Sequence, residues 1–377
     1  MSARVLILSA SAGAGHLRAA EALEVAAREA YPDLYVENHD VLAFTNGVFR
    51  RLYAKTYLDL VNAAPHLLGM LYDWLDQPIK PNRDLGERLR RLVQKLNLLK
   101  FEKLVRQGNW DLVINAHFLP AELIAHLRLG EKVNVPQVTV CTDFATHRLW
   151  VNQPCERYFC ATEEGAEYLG FFGVPRETID VTGIPIHPDF GREVDRNALL
   201  QKHGLTGDRP IVLQMCGGFG VGPVEEIYRS LLRVELPLEV VVIAGRNAEL
   251  EAELETIERP DRHGVKVLGF TKEMHELMAI ADVVVTKPGG LTTSEALARG
   301  LPLIIANPIP GQETRNSDFL LENGAAVKID HPCQLSLKLA RILSDKPRFE
   351  RIRASARSLG KPRAAFDVLE RALTLVN

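Results

Sequence analysis

Cysteine is scarce in this chain: five in 377 residues, Cys141, Cys155, Cys160, Cys216 and Cys333, with no CxxC pair among them. That scatter excludes a zinc ribbon and a disulfide framework, and it suits a reducing compartment. Long apolar runs are missing as well. None approaches the roughly 20 residues needed to span a bilayer. The first residues lack the charged start, apolar run and small-residue cleavage site of a secretory signal, so the expectation is a cytoplasmic chain, free or resting on a membrane surface. A surplus of positive charge is also absent. Lys and Arg number 45 against 48 Asp and Glu, a formal net charge of −3, which argues against nucleic acid as the main partner. What remains is ordinary globular composition, 46% hydrophobic and 25% charged, in a chain long enough for two domains with separate cores.

Two zones alternate short β-rich runs with helical stretches. The first holds "RVLILSA", "LYVENHD", "DLVINAH", "PQVTVCTD" and "RYFCAT"; the second holds "PIVLQMC", "LEVVVIAG", "VKVLGF", "ADVVVTK", "LPLIIAN" and "AAVKI". Near-continuous apolar strands spaced by helices imply parallel sheets covered on both faces. The fold class expected is therefore α/β, as two doubly wound domains. The join falls near "VTGIPIHPDFG", where prolines and glycines interrupt the periodicity. Two such domains would face a cleft with the carboxyl ends of their strands, where ligands bind in this architecture.

A long helical insertion is expected at about residues 43–108. Leu85, Leu89, Leu92, Leu96 and Leu99 follow helical spacing, flanked by Arg88, Arg91 and Lys95. From Lys80 to Arg106 there are nine basic residues against Asp84, Glu87 and Glu102, a local +6 in a chain of net −3. Basic residues bordering an apolar stripe suit an anionic lipid surface. A core-facing helix with a solvated basic face is the alternative reading.

The chemistry concentrates in "ADVVVTKPGGLTTSEALARGLPLIIANPIPGQETRN", residues 281–316. A strand ends at Thr286, Lys287 to Gly290 turn the chain, and a helix is expected from about Leu291. Free N–H groups at Leu291, Thr292 and Thr293, with the helix dipole behind them, make an anion site suited to a diphosphate, with Gly289 and Gly290 permitting close approach. Glu295, one turn on, can accept hydrogen bonds from vicinal ribose hydroxyls. Gln312, Glu313 and Asn316 follow a Pro-Gly turn and can read a sugar's hydroxyls. A second glycine loop, "CGGFGVG", places Gly217, Gly218, Phe219 and Gly220 where backbone can approach phosphate. "AGRN" and "GFTKEM", carrying Arg246, Asn247, Phe270 and Met274, end strands on the same rim and can hold a flat base. In the first zone the polar points at strand ends are His16, His117, Asp143, His147 and Trp150. The three histidines share no zinc-type spacing, so no metal site is expected.

With "GAGHLRAAEAL", "TDFATHRLWV", "RYFCATEE", "VTGIPI", "KPGGLTTSEALARGLPLI" and "PIPGQETRN" in this order, the sequence resembles the diacylglycerol glycosyltransferases over nearly its whole length. These include plant monogalactosyldiacylglycerol synthases and bacterial processive glucosyltransferases, and they are related to the MurG glycosyltransferase. The resemblance implies a GT-B fold: two Rossmann-like domains facing a central cleft. Residues 1–188 would bind a lipid acceptor, residues 189–360 a UDP-sugar, and residues 361–377 would cross back as a helix. It further implies an inverting hexosyl transfer to diacylglycerol or a related lipid, with the UDP-sugar as donor and no cofactor or bound metal. The place of action would be the inner face of the cell membrane, with the chain peripherally associated. The two glycine loops would hold the diphosphate, Glu295 the ribose, and Gln312, Glu313 and Asn316 the sugar, with Lys287 supporting the leaving group. His16 falls on the family's glycine-loop histidine, near the acceptor hydroxyl.

One departure stands out. The plant enzymes carry an aspartate five residues before that histidine, where this chain has Ser11. Serine does not stabilise an imidazolium as a carboxylate does. The base assignment is therefore open between His16, Asp143 and His147. Transfer of N-acetylglucosamine to a polyprenyl-linked acceptor, as in MurG, and epimerisation of a UDP-sugar are the alternative activities on the same fold.

Overall fold

The computed structural model of the chain describes residues 2–11, 13–45, 76, 99–215 and 222–376. They divide into two compact units: residues 1–188 with 310–312 and 363–377, and residues 189–309 with 313–362. In the first, strands β1 (Arg4–Ser9), β2 (Tyr35–Asp40), β3 (Leu112–Asn115), β4 (Gln137–Val140), β5 (Arg157–Cys160) and β6 (Ile179–Val181) pair in parallel, in the order β2-β1-β3-β4-β5-β6. The helices are α1 (Ala14–Ala30), α2 (Leu99–Gln107), α3 (Phe118–Leu129) and α4 (Glu163–Phe171). Val5 to Leu8 are fully buried, as a strand sandwiched between helical layers requires.

The second unit repeats the design with β7 (Ile211–Met215), β8 (Glu239–Gly245), β9 (Gly264–Gly269), β10 (Val283–Thr286), β11 (Leu303–Ala306) and β12 (Ala326–Ile329), again all parallel, in the order β12-β11-β10-β7-β8-β9. Around it lie α5 (Arg196–His203), α6 (Val224–Leu232), α7 (Ala248–Glu255), α8 (Met274–Ile280), α9 (Gly290–Ala298), α10 (Gln312–Glu322), α11 (Leu335–Ser344) and α12 (Lys346–Leu359). The last helix, α13 (Ala364–Leu373), belongs to the first unit. Its Ala365, Val368, Leu369 and Ala372 share a core with Ala20, Leu23, Ala26 and Ala27 of α1. The small side chains of α1 permit that close helix contact. Asp180 of β6 fastens the arrangement by accepting from both Arg157 and Arg371.

Every strand read from the sequence is present; β6 was not foreseen. Its three residues, Ile-Asp-Val, are too short for a periodic pattern, and a charged residue sits in the middle. Most of the expected insertion at 43–108 lies outside the described residues. Of its leucine stripe only Leu99 is described, at the start of α2 and 72% exposed. Among the described residues no helix is long and apolar enough to cross a membrane.

Strand order fixes where each unit can bind a ligand. In the first sheet the order reverses between β1 and β3; in the second, between β7 and β10. Chains leaving the carboxyl ends of such a strand pair diverge to opposite faces, opening a crevice. The first turn of α1, just after β1, carries His16 and the loop after β3 carries His117; the loop after β10 carries Lys287 to Gly289.

Candidate active site

At the first crevice, α1 starts after Gly13, whose φ of 153° suits glycine, and His16 lies in its opening turn. The His16 ring meets the His117 ring edge-on, centroids 4.5 Å apart, and lies 6.2 Å from that of Trp150. Its Nδ1 is 2.8 Å from Thr142 Oγ1. Burial pushes the His16 imidazole down to about 4, opposed by a hydrogen bond to the backbone of Ala116. His117 caps α3: its Nδ1 accepts the Leu119 N–H at 3.0 Å, and burial, reinforced by His16, holds it well below the ordinary histidine range. Two neutral imidazoles are therefore packed side by side.

Asp143 follows Thr142 beyond β4 and is 4% exposed. Burial pushes its carboxyl up to about 7; the Trp150 indole N–H, 3.4 Å from Oδ2, pulls the other way. Oδ1 is buried without a hydrogen-bond partner among the described residues. His147 is differently placed. Its Nδ1 accepts the Leu149 N–H at 3.0 Å, and its Nε2 lies 3.6 Å from Asp76 Oδ1. Both ring nitrogens are engaged inside the fold.

At the second crevice, α9 begins at Gly290, one residue before the expected start. The Thr293 N–H therefore donates to Gly289 O at 2.9 Å. The N–H groups left without intrahelical partners are those of Gly290, Leu291 and Thr292, one residue nearer the turn than expected and without Thr293. Among the described residues no side chain caps this end. Glu295, in the next turn, is 1% exposed. Asn316 is fully buried and its Nδ2 donates to Pro288 O at 3.0 Å, bracing the turn from behind. Glu313 Oε2 accepts the Ile309 N–H at 2.7 Å; burial raises its carboxyl, while that bond and the nearby Lys287 cation lower it. Gln312 opens α10. Of the strand-end set proposed for a flat base, Arg246 lies over the Phe270 ring at 4.7 Å and Phe270 is 57% exposed. Asn247 caps α7 by accepting from Leu250 N, and Met274 is buried. Gly217, Gly218, Phe219 and Gly220 lie outside the described residues. Beyond them, Gly222 has φ 121°, and a Cβ there would meet Lys287 Cε at 3.3 Å and Asn307 Nδ2 at 3.4 Å.

Sequence reasoning missed several of these groups. Asn307 follows β11 with φ 49°, a left-handed conformation that non-glycine residues seldom adopt outside asparagine; the Asn-Pro pair after an apolar run was its only sign. Thr142 opens "TDFATHRLWV" but had no role of its own in the sequence reading, and Asp76 had no sequence sign at all. One other group has metal-ligand chemistry among the described residues: His203, Glu273 and Glu276. There Lys202 Nζ, 2.8 Å from Glu273 and 2.7 Å from Glu276, already supplies the cation.

Comparison with known proteins bears on both crevices. Residues 16–186 match the family model described as monogalactosyldiacylglycerol (MGDG) synthase, and residues 199–359 match glycosyl transferases group 1. A relative from Bacillus pumilus (strain SAFR-032), called a processive diacylglycerol beta-glucosyltransferase, is 28% identical over 369 residues, covering 97% of this chain and 94% of its own. Among solved structures, MurG of Acinetobacter baumannii superposes with a TM-score of 0.64 at 17% identity, covering 99% of both chains. The UDP complex of S. aureus MnaA superposes at 0.63 and 16% identity, covering 99% of this chain and 98% of that one. These two share the GT-B fold. The chain thus carries a stretch that matches MGDG synthase and one that matches glycosyl transferases group 1, and it is similar over nearly its whole length to a diacylglycerol glucosyltransferase.

Proposed function

We propose that this chain is an inverting hexosyltransferase that moves glucose or galactose from a UDP-sugar to 1,2-diacylglycerol or a related lipid at an anionic membrane surface. The observation that carries this is the uncapped N-terminus of α9 at the second crevice, with Lys287 before it and buried Glu295 behind it. Free N–H groups and a helix dipole stabilise the charge that develops on a departing diphosphate. Glu295 takes the ribose hydroxyls, and Glu313 with Gln312 the hexose. Asn316 acts from behind the turn, holding Pro288 in place. The Arg246–Phe270 pair offers a flat, cationic surface to the uracil ring.

On the acceptor side, Asp143 is the base this geometry favours. The acceptor O–H bond breaks toward Asp143, directly or through one water. The freed oxygen attacks the anomeric carbon while the bond from that carbon to the diphosphate oxygen breaks, and UDP departs with the electron pair. A carboxyl near 7 matches the working pH, whereas an imidazole near 4 is a weak proton acceptor. His16 then shapes the acceptor pocket as a neutral ring. Lys100, Lys103 and Arg106 on α2, beside the exposed Leu99, support contact with anionic lipid.

The test is incubation with UDP-glucose and UDP-galactose over anionic vesicles containing diacylglycerol, with the glycolipid identified by mass, and UDP binding followed by calorimetry. A hexosyl-diacylglycerol formed only with both substrates is the expected result. An altered UDP-sugar appearing without lipid would replace transfer by epimerisation, and absence of UDP binding would remove the reading.

A further inference from the structure

Asp76, from the long insertion of the first unit, is 6% exposed. Its carboxylate collects donors from two other segments. The Arg148 N–H donates to Oδ1 at 3.0 Å and the Tyr168 hydroxyl to Oδ2 at 2.6 Å. His147 Nε2 lies 3.6 Å from Oδ1. Because His147 Nδ1 accepts the Leu149 N–H, the neutral ring carries its proton on Nε2, toward Asp76. Each of these groups turns a hydrogen toward the carboxylate, whose two oxygens have the lone pairs to accept them.

Arg148 and His147 open the 3-10 turn Arg148–Trp150. That turn delivers Trp150, which is 1% exposed. Its indole N–H reaches Asp143 Oδ2 at 3.4 Å, and its ring lies 6.2 Å from His16 and 6.3 Å from His117. The partners described for Asp76 are Arg148, Tyr168 and His147, none of them Asp143, His16 or His117. It acts on the turn that carries Trp150, and Trp150 touches them all.

We propose that Asp76 is a positioning residue: its carboxylate fixes the His147–Trp150 turn, and through Trp150 it holds Asp143 and His16 in working order. The inference rests on the acceptor-side reading given above, and it makes a residue of the insertion part of the machinery that prepares the acceptor hydroxyl.

The test is Asp76→Asn in the full chain. The amide keeps the volume and one acceptor oxygen, but it removes the negative charge and the second oxygen, so its NH2 cannot accept the Tyr168 O–H that Oδ2 now takes. Two quantities are read: hydrogen exchange over residues 142–151, which follows the turn whatever reaction the protein performs, and hexosyl transfer with kcat and the UDP-sugar KM resolved. Exchange at least tenfold faster, with kcat at least tenfold lower and KM for the UDP-sugar within twofold, is expected. Unchanged exchange overturns the proposal, and so does faster exchange with unchanged kcat. A wild-type chain that transfers no hexose would sink the functional reading instead, while the exchange result would still decide whether Asp76 fixes the turn. Should Asp76→Asn fail to fold, Tyr168→Phe removes a single hydroxyl from the same carboxylate. Faster exchange at 147–151 with a two- to fivefold loss of kcat is then expected, and wild-type values of both would overturn the assignment.

Discussion

The pH dependence of transfer separates the two candidate bases. Asp143 is held near 7 because its carboxyl is buried with one oxygen unpartnered, and His16 near 4 because its ring is packed against His117 and Trp150. A base works only when deprotonated. With Asp143 in that role, about one tenth of the enzyme is competent at pH 6 and about nine tenths at pH 8, so kcat/KM should rise roughly tenfold across that interval. With His16 as base, roughly 99% is already competent at pH 6, and the same interval should show almost no change. The assay is initial-rate transfer to diacylglycerol in mixed micelles, with a buffer series of constant ionic strength and subsaturating UDP-sugar. Asp143→Asn should abolish the rise along with at least 99% of the rate. A flat profile from pH 6 to 8, or an Asp143→Asn variant retaining the wild-type rate, would refute the assignment and return the role to His16.

Further outcomes follow from the same geometry. The Asp143 carboxyl is raised in the fold from its ordinary 3.8 to about 7, so the folded chain binds the proton more tightly and loses stability as pH rises through that window. At about 1.4 kcal/mol per pH unit between pH 5 and 7, Asp143→Asn should gain roughly 2–3 kcal/mol over wild type between pH 5 and pH 8 in urea titrations; a pH-independent difference would refute this. Glu295→Ala should raise the UDP-sugar KM at least tenfold with kcat within threefold, because ribose binding is remote from the reacting carbon; collapse of kcat at unchanged KM would refute it. Asn316→Ala leaves the Pro288 carbonyl without its buried donor and should cost about 1–2 kcal/mol of stability, together with weaker UDP binding by calorimetry.

Much of the fold was legible because it is written in period and length. Runs such as "VVVT" and "LIIA" are apolar at every position, and their spacing by helix-length segments leaves little but parallel sheets. The turn between β10 and α9 was legible too, since "KPGG" after an apolar run marks a strand end and a helix start. Its register was not: the start at Gly290 depends on backbone bonding, such as Thr293 N–H to Gly289 O, that residue type does not encode. The acceptor group was only half legible. Asp143 and His147 share one motif and look equivalent as sequence, yet one carboxyl oxygen is left unpartnered while both imidazole nitrogens are occupied. Partners from distant segments decide that difference. Asp76 is 71 residues from His147, in a stretch whose pattern reads only as helix.

The two units also show how one topology is tuned to opposite chemistry. Both place their ligand groups where strand order reverses. In the second unit that crevice keeps uncapped N–H groups and a lysine, both complementary to a diphosphate that arrives charged and leaves more so. In the first unit the equivalent positions hold His16, in the first turn of α1, and His117, and the surroundings are aromatic: Trp150 beside both, Phe118 with its ring 4.1 Å from that of His117. Burial there pushes both imidazoles down and the Asp143 carboxyl up, disfavouring every charged form. A crevice that rejects charge is poorly suited to a nucleotide. It suits an uncharged hydroxyl on an apolar molecule, and it keeps a carboxyl near the pH at which it can take that hydroxyl's proton. On the proposed reading, the same desolvation that costs the fold stability at Asp143 selects the acceptor and poises the proton acceptor together, so substitutions that admit water beside Trp150 should lower the pH midpoint of transfer as they lower its rate.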